Sequence, residues 1–326
     1  MGMKFIVTGG LGFIGHNVVR LLEQQGHSCL LIDSMTNYGF VPQNELDYLI
    51  SQRRTRIDSP VLNIDIRNAE QLRQYFKLNA ANVDAVIHLA SFPRQKIVTQ
   101  QPVWGSEVMS TALINLLERS KQYNIPKFVY ISSSMVYGDF NNDVTESSIC
   151  NPIGQYGIMK YMGEQLVKDY HRRGCFDYTI IRPSAVYGEW DVEDRVVSKF
   201  MLGAMRGQTL KVKGANEILD FTYVEDTAMG IALAATKTVA NNKTYNITRS
   251  DTKFYTLLDA ANLAIDIAGK GKVQIEDKDQ EFPSRGRLCI DNAVLDLGYI
   301  PQVNVEQGFE RYYNWFLSST YWSKLI

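Results

Sequence analysis

The 326-residue chain has no apolar run near the ~20 residues that a helix needs to cross a bilayer. It also has little net charge. Its 34 Lys and Arg against 35 Asp and Glu leave a formal charge of −1, with no basic excess to mark a nucleic-acid or anionic-membrane partner. Cysteine is sparse: Cys29, Cys150, Cys175 and Cys289 are scattered without paired spacing. That pattern argues against a disulfide framework, and reduced, buried thiols in a cytoplasmic protein are the expectation. The opening Met1-Gly2-Met3-Lys4-Phe5 lacks the layout of a secretory leader. Gly2 is not followed by Ser or Thr where myristoylation requires it. Repeats and low-complexity tracts are missing. What remains, 45% hydrophobic and 21% charged, suits one large or two interlocked domains with a real core.

The N-terminal half alternates short apolar runs with amphipathic stretches. Strands are expected at Lys4–Thr8, Ser28–Asp33, Val61–Asp65, Ala85–Ala90, Phe128–Ser133 and Thr179–Pro183. Helices are expected at Gly12–Gln25, Ala69–Lys77, Trp104–Gln122 and Gln155–His171. Near-continuous apolar strands between helices imply an α/β fold, a doubly wound parallel sheet covered on both faces. After Arg182-Pro183 the pattern loosens, apart from one more helix and strand in Asp226–Ile247. The division expected is one domain of residues 1–184 plus about 225–249. A smaller, discontinuous C-terminal domain of 185–224 and 250–326 then lies over the carboxyl edge of the sheet, where such folds bind ligands.

Phe5-Ile6-Val7-Thr8-Gly9-Gly10-Leu11-Gly12-Phe13-Ile14-Gly15 runs from strand through tight turn to helix start. Gly10, Gly12 and Gly15 satisfy G-x-G-x-x-G, and Gly9, Gly12 and Gly15 the G-x-x-G-x-x-G version. Glycines let backbone amides approach a pyrophosphate, and the helix N-terminus adds partial positive charge. This is a Rossmann-type signature. Asp33 closes the next strand, where an acid binds the adenosine ribose hydroxyls and repels a 2′-phosphate, so NAD is favoured over NADP. The other reading of Asp33 is a turn residue before Ser34. Asp65-Ile66-Arg67 borders the adenine or forms a solvated turn.

Tyr156 and Lys160 stand at i and i+4, on one face of the expected helix. An ammonium beside a phenol favours the phenolate, which makes a general base for a carbinol. A chance pair on a solvated helix has the same spacing.

The ordered set is more specific than any member. The glycine loop and Asp33 are followed by His88-Leu89-Ala90 and Ser132-Ser133-Ser134-Met135-Val136-Tyr137-Gly138. Then come Tyr156-x-x-x-Lys160, Arg182-Pro183-Ser184-Ala185-Val186-Tyr187-Gly188, Asp220-Phe221-Thr222-Tyr223-Val224-Glu225-Asp226 and Pro283-Ser284-Arg285-Gly286. The chain resembles the extended short-chain dehydrogenase/reductase family, in its NAD-dependent nucleotide-sugar epimerase/dehydratase branch, over most of its length. The resemblance implies catalytic roles for Tyr156 as base, for Lys160 on the nicotinamide ribose, and for Ser133 on the reacting sugar oxygen. Read alone, Ser133 is equally a strand-end hydroxyl bonding to backbone. It implies a cofactor site of Gly9, Gly12, Phe13, Ile14, Gly15, Asp33, Asp65, Ile66, Leu89, Ala90, Ser91, Tyr156, Lys160 and Pro183. His88 is expected to be a satisfied strand histidine. The nucleotide sugar would be bound by Arg94, Ser134, Arg195 and Arg285, the last two supplied by the smaller domain. Arg195 is equally a surface charge, and Phe92-Pro93-Arg94-Gln95-Lys96 an exposed loop.

The resemblance implies oxidation at sugar C4 to a 4-keto intermediate. Dehydratases of the family place Asp-Glu after the Ser/Thr; here those positions are Ser134 and Met135. A nucleotide-sugar 4-epimerase with retained NAD is therefore the expected activity. The alternatives are a 4,6-dehydratase, a net 4-dehydrogenase or a keto-sugar reductase. Three departures accompany this: Met109 and Ala185 where relatives carry Asn, and Leu219 where they carry Arg. The family's usual setting is supply of polysaccharide or glycan precursors. Its usual assembly is a homodimer through helices 104–122 and 155–171.

Overall fold

The computed structural model describes all residues except 1, 40, 93, 141 and 142. Pro93, within the loop expected to face the sugar, thus lies outside the described residues. The chain begins β1 (Lys4–Thr8), α1 (Phe13–Gln24), β2 (Ser28–Asp33), α2 (Gln43–Arg54), β3 (Val61–Asn63), α3 (Ala69–Asn79) and β4 (Ala85–His88). It continues with α4 (Gln95–Gln100), α5 (Pro102–Ser106), a π-helical turn (Glu107–Thr111), α6 (Ala112–Gln122), β5 (Lys127–Ile131), α7 (Gly154–Arg172) and β6 (Asp177–Pro183). The rest is β7 (Val186–Tyr187), α8 (Val196–Met205), β8 (Thr209–Lys213), β9 (Thr222–Tyr223), α9 (Val224–Thr236), β10 (Lys243–Ile247), α10 (Leu257–Ala268), β11 (Lys272–Glu276) and α11 (Val305–Ser318).

Seven strands form one sheet in the order β10-β6-β5-β4-β1-β2-β3. Every pairing in it is parallel, with Lys4 beside Ser28 and Thr8 beside both Ile32 and His88. Strand order reverses direction between β1 and β4, so the carboxyl ends of these strands open a crevice. One face of the sheet buries Phe5, Val7, Val18, Leu22, Ile87, Ile231 and Tyr245. The other buries Ile6, Leu72, Phe76, Leu113, Leu117, Phe128 and Val167. Both faces are covered, which is why the strands read as unbroken apolar runs.

A separate core lies beyond the carboxyl edge, in the two short parallel pairs β7–β9 and β8–β11 with α8, α10 and α11. It is rich in aromatics: Tyr187, Tyr223, Phe309, Tyr312, Phe316 and Trp322 are each at most 2% exposed. Capping boxes start two of its helices, Thr256 with Asp259 and Asn304 with Gln307.

Several features differ from the sequence expectation: α4 had none, and of the four cysteines expected to be buried only Cys29 is. The strand expected at Val61–Asp65 stops at Asn63, because the Asp65 carboxylate folds back onto the Arg67 amide and guanidinium. The helix expected at Trp104–Gln122 starts at Pro102, where proline suits the first helical position. It then passes through the π turn before regaining α geometry. Helix α2 had no sequence expectation; its few apolar residues, Leu46 and Leu49, join the aromatic core rather than the sheet.

Candidate active site

The turn after β1 needs glycine at two places. Gly9 has φ +73°, and a Cβ there would lie 2.7 Å from the Ala90 nitrogen. A Cβ on Gly15 would lie 2.0 Å from the Gly9 carbonyl oxygen. The loop therefore presses on the Leu89-Ala90 strand end and on the start of α1. Helix α1 has no side-chain cap at Gly12, which leaves its first-turn amides to an anion. Leu89 and Ala90 both donate backbone amides to the Thr8 carbonyl at 3.0 Å, fixing them beside the turn.

Asp33 accepts from the Leu11 amide at 2.9 Å on one oxygen and from the Met35 amide at 2.8 Å on the other. Burial raises its pKa, and the two amides pull it back. It thus serves the turn, as one sequence reading has it, and keeps lone pairs that ribose hydroxyls could use. Asp65 and Arg67 line an open hollow of about 500 Å³ with Asn68, Glu107 and Thr111. The glycine cradle, the uncapped helix start and the acid at the end of β2 fit a dinucleotide.

At the carboxyl end of β5, Ser133 begins a short 3₁₀ turn and accepts from the Met135 amide at 3.2 Å. Its hydroxyl also favours the phenolate of Tyr156. The backbone bond is therefore present and leaves Ser133 beside the proposed base. Lys160 is buried and donates from Nζ to the Ile131 carbonyl at 2.7 Å. Its Nζ lies 5.8 Å from the Tyr156 ring centre. Burial pushes Lys160 down to about 7, against the opposing pull of Glu164.

Tyr156 departs from the expectation that an ammonium one turn away would lower it. Its pKa is raised by burial, while the Arg195 guanidinium, the Ser133 hydroxyl and the Arg285 guanidinium oppose that rise. The apolar wall responsible includes Phe92, Val108 and Met109, with Met159 packed alongside. Met109, in the π turn, thus contributes hydrocarbon where relatives were expected to carry Asn.

Behind the reactive face, fully buried Glu164 accepts from Ser132 at 2.6 Å and from Arg182 at 2.9 and 2.6 Å. Arg182 also donates to the Tyr137 hydroxyl at 2.9 Å. Glu164 was missed by sequence reasoning, although it repeats the Tyr156–Lys160 spacing one turn on. His88 is the satisfied histidine expected: its Nδ1 is 2.7 Å from the Thr8 hydroxyl, and burial drives it down to about 3.

The substrate candidates separate. Arg285 faces both Tyr156 and Glu217, and its Nε is buried without a hydrogen-bond partner among the described residues. Arg195 sits 3.7 Å from Asp191, at the start of α8. Arg94 is ion-paired with Asp194 and bonded to its carbonyl. Ser134 is buried and donates to Ser184 at 3.1 Å. Ala185 has φ +39°, a region where Asn is commoner than Ala, which accounts for the Asn expected there. Leu219 packs into the aromatic core. No group of three or more His, Cys, Asp or Glu able to hold a metal occurs among the described residues.

A doubly wound sheet with this glycine turn and a Ser–Tyr–Lys set at its carboxyl edge defines an extended short-chain dehydrogenase/reductase, and the comparisons agree. The chain belongs to the NAD dependent epimerase/dehydratase family, whose model matches residues 5–248, and its cofactor is NAD. It is 30% identical to a putative UDP-glucose 4-epimerase of Methanocaldococcus jannaschii, over 95% of this chain and 97% of that one. It is 27% identical to a dTDP-glucose 4,6-dehydratase of Escherichia coli, over 98% and 94%. The solved UDP-glucuronic acid 4-epimerase of Bacillus cereus superposes with a TM-score of 0.85 at 26% identity, covering 99% of this chain and 100% of that one.

Proposed function

We propose that the chain is an NAD-dependent 4-epimerase of a nucleotide-activated sugar. The observation that carries the reading is the local setting of Tyr156. Its phenolate is favoured by the Arg195 guanidinium, the Ser133 hydroxyl and the Arg285 guanidinium, while the two residues after Ser133 are Ser134 and Met135, both buried and neither an acid. A dehydratase needs an acid and a base at the sugar's C5 and C6, and those positions offer none. An epimerase needs only a reversible oxidation and a turn of the keto sugar.

In this reading Tyr156 takes the proton of the C4 hydroxyl. Ser133 hydrogen-bonds that oxygen and holds it within reach of Tyr156. Lys160 binds the nicotinamide ribose from its place beside the Ile131 carbonyl. What NAD supplies when bound is a hydride acceptor and donor in one site. The 4-keto sugar is re-reduced on its other face, and Tyr156 returns the proton. Arg285 and Arg195 offer guanidinium forks to the diphosphate, and Arg94 and Ser134 border the sugar. The remaining cofactor contacts are Gly9, Gly12, Phe13, Ile14, Gly15, Asp33, Asp65, Ile66, Leu89, Ala90, Ser91 and Pro183.

The same proposal assigns residues 1–184 plus about 225–249 to NAD, and 185–224 with 250–326 to the nucleotide sugar. It places the enzyme in the cytoplasm, supplying polysaccharide or glycan precursors, as a homodimer through helices 104–122 and 155–171. The stripe Val108, Met109, Ala112, Leu113, Leu116 and Leu117 is spent inside the protomer. Ile114 and Ile158, 40% and 52% exposed, are what those helices leave for a partner. The test is a panel of nucleotide sugars with products read by NMR. Inversion at C4, with no added NAD and no net NADH, supports the reading. A 4-keto-6-deoxy product absorbing in base, or steady NADH release, overturns it.

A further inference from the structure

Helix α2 ends in a buried cation that touches both sides of the crevice. Arg53 is 4% exposed. Its Nη1 donates to the Leu11 carbonyl at 3.1 Å, inside the glycine turn. Its Nε and Nη2 both donate to the Trp190 carbonyl, at 3.1 and 2.6 Å. The amide of the same Leu11 is the donor to Asp33. Trp190 opens the segment that carries Asp191, Asp194 and Arg195. One planar group thus sets the distance between the dinucleotide turn and the loop that brings Arg195 to Tyr156.

Trp190 needs holding. Its φ of +65° lies in the left-handed region, where a bulky non-glycine residue is an outlier. Two hydrogen bonds on its carbonyl fix that peptide. The Arg56 guanidinium stacks 3.4 Å from its ring centre, and Arg56 also reaches His16 at 2.8 Å, whose Nδ1 lies 2.9 Å from the Gly12 carbonyl. Both ends of the Trp190 residue are therefore tied to the glycine turn. Arg53 stays charged although burial pushes it down to about 10, because the Asp191 and Asp33 carboxylates face it.

We propose that Arg53 is a positioning residue that makes the cofactor turn and the 188–195 loop one mechanical unit, so that binding NAD orders the substrate side. This rests on the reading that the turn holds NAD and the loop faces the nucleotide sugar. The geometry calls for Arg rather than Lys, since only the fork reaches two carbonyls from one planar group.

Hydrogen exchange of the full chain with and without saturating NAD tests it. In the native chain NAD slows exchange in peptides covering 9–15 and, on the order of tenfold, in peptides covering 188–195. In Arg53→Met the first protection persists and the second is lost. Arg53→Lys, which keeps the charge and reaches one carbonyl, keeps less than half of it and carries the test if Arg53→Met does not fold. Undiminished protection of 188–195 in a folded Arg53 variant overturns the proposal. If NAD protects neither segment of the native chain, the cofactor reading fails and takes this one with it.

Discussion

On the sheet side of the crevice, the groups offered to a ligand are largely backbone: the amides at the start of α1 and the strand ends at Leu89 and Ala90. Across the crevice they are side chains. Arg195 lies 3.7 Å from Asp191 and Arg285 is favoured in its charged form by Glu217, while Arg94, from the sheet side, is paired across the crevice with Asp194. Backbone recognition depends on close approach, so it is specified by glycines and tolerates little change. Side-chain recognition depends on charge balance, so it can be retuned residue by residue. The first side suits a ligand that never changes, and the second a ligand that varies between relatives.

Removing the Tyr156 hydroxyl strikes where both sides meet, and is expected to have the largest effect. Tyr156→Phe lowers turnover about 10²- to 10⁴-fold, the range for a positioned proton-transfer group. NAD content, measured on the denatured protein, stays unchanged. Full activity in that variant breaks the comparison at its centre.

Glu164→Gln tests whether the sheet side also depends on charge once buried. Breaking the pair with Arg182, whose side chains are 0% and 3% exposed, costs about 3–5 kcal/mol in urea unfolding. It also removes the group that raises Lys160, so that amine falls further below about 7 and loses charge at neutral pH.

Gly15→Ala sharpens the backbone half. A methyl 2.0 Å from the Gly9 oxygen forces the turn apart at about 1–3 kcal/mol, which reads as roughly 10- to 100-fold weaker NAD binding in a fluorescence titration. Substrate-side variants leave that titration alone.

Arg195→Gln sharpens the charged half. The Arg195 guanidinium favours the phenolate of Tyr156, so its loss raises the phenol further. The base must be deprotonated to act. The acid limb of the kcat/KM profile therefore moves to higher pH, by about one unit at most. A shift to lower pH contradicts the assigned sign.

Ile158→Ser is the mildest change. It lies outside both halves and alters monomer stability by about 0.5 kcal/mol or less. It weakens self-association in analytical ultracentrifugation if α7 is the dimer face.

The sheet was legible because its signals are local. Six of the seven strands stand within two residues of where alternating apolar runs put them, and β10 falls in the stretch read as one further helix and strand. The glycine turn, Asp33 and the Tyr156–Lys160 pair announce themselves by spacing, whereas Ser133 was singled out by the family resemblance. Helix α2 was not legible: Leu46 and Leu49 are sparse among polar residues, and what they pack against comes from the far end of the chain. Glu164 had a spacing but no reason to be read, since it lies on α7 and its partner Arg182 on β6.

Sequence by itself determined the strands of the sheet and the cofactor class, and it offered the candidates for moving a proton, because turn geometry and helical spacing act over a few residues. Only the tertiary structure decided the protonation balance. Burial lifts Tyr156 against its cations, Arg94 is tied to Asp194, and Arg53 joins two loops far apart in the chain. Desolvation and long-range pairing depend on what is packed nearby, and no short stretch of residues encodes that.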